Sequence, residues 1–110
     1  MNKAPRYIEV PLANGDKLRV GAWPVSVPGL LITECAAWYG YEITHEESLT
    51  RICGPFHQRS EAAAAARRLG ETGVMWDMSR EEMLMEPMTM EIIRAAVRET
   101  VDQYHAKAEE

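Results

Sequence analysis

The chain is predicted to fold as an α+β domain, an antiparallel sheet of four to five strands packed against an alanine-rich helix, with an amphipathic helix at the C-terminus. Three observations predict it. Short runs that alternate apolar and polar residues recur through the first 56 positions and are separated by Gly, Pro and Asn signals. Five consecutive alanines, Ala62 to Ala66, follow a serine and a glutamate. Beyond position 90 the apolar residues recur at helical spacing. A chain of 110 residues is long enough for one domain with a modest core. The expected organisation is a strand-rich part over 1–59, a helix over 60–72 and a helical C-terminal part over 79–106.

The first element is a β-hairpin. Tyr7, Ile8, Glu9 and Val10 alternate, Leu18 to Trp23 does the same, and Asn14-Gly15-Asp16 between them tolerates the positive φ of a tight connection. Pro24 and Pro28-Gly29 interrupt the pattern, because proline cannot donate to a ladder, and Leu30 to Thr33 resumes an extended run. Ala37 to His45 is aromatic-rich, with Tyr41, Ile43 and His45 on one strand face. Glu46 to Thr50 predicts a turn, and Arg51 to Phe56 a partner strand ended by Gly54-Pro55. Ser60 is placed to cap the alanine helix and Glu61 to complement its positive end, and Gly70 or Gly73 is expected to stop it. Val74, Met75 and Trp76 read as an extended return to the core. Ser79-Arg80-Glu81-Glu82 is a capping box for a further helix, which Pro87 divides into a short piece near 80–86 and a longer one over 88–106.

Composition narrows the function classes. The apolar fraction of 46% with 26% charged residues fits a globular protein. No apolar run approaches the roughly 18 residues that a membrane span needs, and MNKAPRYIEV lacks the apolar block of a secretory signal, so the cytoplasm is the expected location and no membrane partner is expected. The net charge of −5 is uneven: residues 80–110 carry eight acidic residues against four basic ones, whereas residues 1–79 are close to balanced. Such a tail repels phosphate backbones and suits a basic protein surface or plain solvation.

No catalytic constellation emerges. Cys35 and Cys53 read as reduced thiols, and with His45 and His57 they lack the spacing of a zinc site, so neither metal nor cofactor is expected. His45 beside Glu46 and Glu47 is not a dyad, since neighbouring residues point apart, and a Cys53 and His57 pair has no third group to orient it. No glycine-rich phosphate loop is present. The expectation is a non-enzymatic protein-protein interaction module.

Six of the seven methionines fall between Met75 and Met90. Methionines there either fill gaps at the edge of a core or adapt to an irregular partner. The nominated partner-binding residues are Met83, Met85, Met88 and Met90, with Glu91, Glu99 and Asp102 steering towards a basic surface. Ile93, Val97, Val101 and Tyr104, at spacings of four, four and three, make a stripe that covers either the sheet or a second copy, so a structural homodimer is an alternative. Nucleic-acid binding through the strand surface, with Trp38, Tyr39, Arg51 and Arg59 combining stacking and charge, is another.

Trp38, Tyr41 and Ile43, then Arg51 and Gly54-Pro55-Phe56, then Ser60-Glu61-Ala62 with Ala66, give an order similar to the strand-strand-helix unit of the arm-type DNA-binding domain of phage integrases and of AP2-like domains. The resemblance covers about 30 residues and implies a sheet docked in a DNA groove. Where those domains present basic strands, this chain sets Arg51, Arg59, Arg67 and Arg68 against Glu42, Glu46 and Glu47. A looser likeness covers more of the chain. Ile43-Thr44-His45, the return through Gly54-Pro55-Phe56, the alanine-rich helix to Leu69, and Trp76-Asp77 resemble small proteins of actinobacterial phages and integrated mobile elements, which implies an accessory or regulatory protein acting on a host component.

Overall fold

The computed structural model describes residues 5–35, 40–85 and 88–109. Five strands, β1 (Arg6–Pro11), β2 (Lys17–Pro24), β3 (Leu30–Glu34), β4 (Tyr41–His45) and β5 (Thr50–Phe56), form one antiparallel sheet in sequential order. Three helices follow, α1 (Arg59–Gly70), α2 (Arg80–Met85) and α3 (Thr89–Glu109). The α+β architecture with an alanine-rich helix and a C-terminal helix is the one expected from the sequence.

The first hairpin pairs Pro11 with Lys17, so its loop is five residues long rather than a two-residue turn. The Asn14 side chain accepts the Asp16 amide at 3.0 Å, and Gly15 takes the positive φ, 91°. In β5 the chain does not stop at Gly54-Pro55. The strand continues to Phe56, and extra residues on its side of the β4 pairing mark two irregularities, one between the Tyr41 and Ile43 pairs and one between the Ile43 and Thr44 pairs. Bulges of this kind absorb a residue that cannot pair and increase local twist.

The two faces of the sheet are buried by different means. Alternation puts Leu30, Ile32 and Ile43 on one face, the irregularity in β5 brings Cys53 and Phe56 to that same face, and α1 covers it with Ala62, Ala65, Ala66 and Leu69. The alanines, at spacings of three and one, let the helix backbone approach the sheet closely. The opposite face carries Val20, Ala22, Leu31, Thr33 and Thr44, all at most 4% exposed although the helices pack on the other side. Coiling of the sheet explains this. Val10 and Pro11 of β1 line one cavity with Leu49 and Arg51 at the start of β5, and Arg6 of β1 pairs with Glu46 after β4 at 2.9 Å. Inside the coil the Thr33 and Thr44 hydroxyls bond each other at 2.8 Å.

Three expectations about α1 and its exit need correcting. Ser60 does not cap the helix. The N-cap is Gln58, at φ −124° and ψ 148°, and the Glu61 carboxylate reaches back to accept the His57 amide at 3.1 Å, which stabilises the start of the helix from inside its first turn. Gly70 is the last helical residue and Glu71, in right-handed conformation, is the C-cap, so no left-handed glycine ends the helix. A Cβ at position 70 would instead lie 2.6 Å from Val27, so close packing accounts for the glycine. The segment 71–79 is a set of turns rather than a strand: Trp76 is buried, but Met75 points to solvent.

Trp76 fastens this segment to the core. Its indole N–H donates to the Leu69 carbonyl at 2.9 Å, and the Thr72 hydroxyl donates to the same oxygen at 2.6 Å, adding to the Thr72 amide at 3.2 Å, so the segment is tied to the end of α1. Gly29, at φ 90°, lets the β2–β3 connection run directly against the Trp76 and Asp77 backbone. His45, fully buried, adds a second fastening, with Nε2 2.8 Å from the Met78 carbonyl and Nδ1 2.6 Å from the Ser48 hydroxyl. The carbonyl can only accept, so Nε2 carries a proton. Ser79 then caps α2 as expected, its hydroxyl accepting the Glu82 amide and donating to the Glu82 carboxylate, each at 3.1 Å.

α3 packs on α1 and touches β5. Its buried face is Thr89, Ile93, Ala96 and Thr100, flanked by half-buried Val97 and Val101. The expected stripe is therefore rotated towards smaller residues. Against an alanine-rich helix a short side chain allows closer contact, and the Thr100 hydroxyl is satisfied by donating to the Ala96 carbonyl at 2.8 Å. Among the described residues no helix is long and apolar enough to cross a membrane.

Candidate functional site

The corner between α2 and α3 is built by anchoring its small residues and leaving its large ones outside. Thr89 is buried at the start of α3, while Met88 and Met90 on either side of it are 51% and 49% exposed, and Met85 at the end of α2 is 82% exposed. Three methionines thus project into solvent within six residues of chain. The core elsewhere is filled by leucine, isoleucine, alanine, phenylalanine and tryptophan. Of the methionine cluster only Met78 packs against it among the described side chains. Those of Met83 and Tyr104 lie outside the described residues.

The acidic residues divide. Glu81, Glu82 and Glu91 are exposed around the methionines, and Asp102 lies farther along the outer face of α3, which also carries Arg94 and Arg98. Glu99 is engaged within the chain: it pairs with Arg68 of α1 at 3.0 Å, and Arg68 also donates to Gln103. The stripe nominated for a homodimer begins inside the molecule, because Ile93 is buried against the α1 core and Val97 packs beside it. That leaves Val101 as the stripe's described residue outside this cluster.

The strand-surface residues are not brought together. Trp38 and Tyr39 lie outside the described residues. Arg51 pairs with Thr44 across the sheet and faces the inside of the coil, where its Nε is 3.4 Å from Glu42. Arg59 belongs to the opposite side, where its guanidinium lies 4.9 Å from the centre of the Trp23 ring.

That opposite side holds a feature no local pattern announces. The β2–β3 connection and α1 enclose an open groove of about 800 Å³, with Trp23 and Tyr41 on its wall, their rings edge to face at 5.5 Å and 71°. Such pairs contribute about 0.5–1.5 kcal/mol beyond the area they bury. His57, Arg59 and Arg67 line the same groove, and among the described residues no Asp or Glu does. Trp23 and Arg59 are separated by 36 positions, so only the tertiary fold joins them.

The remaining candidates have structural roles. Burial pushes the Cys53 thiol up to about 12, Arg51 pulling it down and Glu42 adding to the rise, so it holds no thiolate near neutral pH. Cys53 faces the core under α1 whereas His57 is exposed, so the two do not form a nucleophilic pair. Among the described residues no three His, Cys, Asp or Glu side chains gather in a way that could hold a metal ion. No protein-family model, curated protein or solved structure matches the chain.

Proposed function

We propose that the chain is a non-enzymatic interaction module that docks another protein through the methionine corner between α2 and α3. The exposure of Met85, Met88 and Met90 carries the reading. Unbranched thioether side chains held in water offer apolar, polarisable surface that adapts to a partner's shape. Glu81 and Glu91 beside them favour a basic partner and speed its approach. The likeness to small proteins of phages and integrated elements supports an accessory role, in which such a module binds and redirects a host protein.

Replacing Met85, Met88 and Met90 together by serine changes exposed positions, so the melting curve is expected to stay within a few degrees of the parent. The same variant is expected to lose the protein that the parent captures. Glu81→Lys with Glu91→Lys is expected to weaken capture most at low salt. Capture that is unaffected by the triple serine variant would refute the methionine corner as the docking surface.

A further inference from the structure

We propose that the groove between the β2–β3 connection and α1 binds a nucleoside phosphate, the ring system against Trp23 and Arg59 and the phosphate at Arg67. The volume, about 800 Å³, lies within the roughly 300–1,000 Å³ of small-molecule clefts. Its chemistry is divided in the way such a ligand is divided. Val27, Ile32 and Ala66 give an apolar floor, Trp23 and Tyr41 an aromatic wall, and Arg59 and Arg67 a cationic rim.

The charge of that rim is not neutralised inside the molecule. Arg6, Arg51 and Arg68 each pair with a glutamate, at 2.9, 3.4 and 3.0 Å. Neither Arg59 nor Arg67 has a carboxylate within 4.0 Å among the described residues, and no carboxylate lines the groove. In a chain of net charge −5 this is a local positive field. Its ligand is therefore anionic. The aromatic wall makes it planar as well: the Arg59 guanidinium carbon lies 4.9 Å from the centre of the Trp23 ring, a cation–π contact, and aromatic rings and guanidinium groups both stack nucleobases. Arg59 and Arg67 are eight residues apart on α1, about 12 Å along its axis, so an elongated ligand reaches both. A long single strand would run beyond the groove over a chain of net charge −5, whereas one nucleotide meets only the groove.

The test titrates the full chain at low salt with ATP, AMP, adenosine, inorganic phosphate, a short oligothymidylate and an oligoglutamate peptide. Calorimetry gives affinity, and amide and indole N–H resonances give location. The expected result is nucleotide binding with shifts centred on Trp23, Tyr41 and the start of α1, and binding of phosphate or adenosine alone weaker by about tenfold or more. Arg67 is exposed, so Arg67→Gln is expected to leave the melting curve unchanged and to weaken nucleotide binding by about tenfold. Trp23→Leu is expected to narrow the difference between ATP and inorganic triphosphate. The proposal is overturned if no nucleotide binds at millimolar concentration, if Arg67→Gln binds like the parent, or if oligothymidylate or oligoglutamate binds more tightly than the mononucleotides.

Discussion

Replacing Gly29 by alanine tests the seam where the β2–β3 connection meets the Trp76 segment, and the geometry fixes the size of the effect. A Cβ built on Gly29 lies 2.2 Å from the Trp76 carbonyl oxygen and 2.4 Å from the Asp77 nitrogen. Both are backbone atoms, so no side-chain rotation relieves the contact. The two segments must separate by about 0.8 Å to reach even the 3.0 Å that real Cβ atoms essentially never go below. Trp76 resists that movement because it is buried and its indole is bonded to Leu69. Gly15→Ala is the internal control, since its φ of 91° matches the 90° of Gly29 and a Cβ there meets nothing within 4 Å. Alanine at either position costs about 1–2 kcal/mol in backbone strain, and the entropic gain in the unfolded chain is shared. Overpacking adds about 1–3 kcal/mol at position 29 alone. Urea unfolding of both variants isolates this difference, which for slopes of about 1–3 kcal/mol/M lowers the Gly29→Ala midpoint by a further ~1 M. Equal midpoints for the two variants would refute the seam.

Two further predictions concern buried groups. The Cys53 thiol stays protonated up to about 12 in the fold, against 9.0 ordinarily, so above pH 9 the unfolded chain binds fewer protons than the folded one. Its contribution is intact below pH 9 and declines as pH rises from there, by up to about 1.4 kcal/mol per pH unit. The stability of the parent should therefore fall more steeply above pH 9 than that of Cys53→Ala, and parallel curves would contradict the burial. Trp76→Phe removes the indole bond to Leu69 but leaves that carbonyl accepting from Thr72, so the lost bond and the smaller ring together are expected to cost about 2 kcal/mol in urea unfolding. A loss under about 0.5 kcal/mol would show that the indole does not hold the segment.

Much of the fold was legible because local signals and tertiary packing agree. The runs flanking Asn14-Gly15, the extended run Leu30 to Thr33, the alanines of α1 and the Ser79 to Glu82 signal each specify the same element alone and in the structure. What was not legible depends on partners distant in sequence. Ser60 offers a cap by residue type, yet the chain enters the helix with its cap two residues sooner, at Gln58, and Glu61 takes the role of stabilising it. The stripe of α3 was read through its largest residues, whereas the alanine-rich surface of α1 selects Ala96 and Thr100 for contact. The exposed methionines could be located but not oriented from sequence, because a methionine serves a core edge and a surface equally well. The groove of Trp23, Tyr41, Arg59 and Arg67 combines strand and helix positions with no shared period, so no pattern along the chain points to it.

A photo-reactive amino acid placed at Met88, with Arg19 on β2 as the control position, tests the docking corner most directly when irradiated in a host lysate with and without nuclease. Both residues are exposed, so neither replacement disturbs the core. The account predicts a discrete protein adduct from position 88 that survives nuclease, is absent from position 19, and disappears when Met85 and Met90 are changed to serine. Adducts that are the same at both positions, or that vanish with nuclease, would contradict a protein partner at the methionine corner.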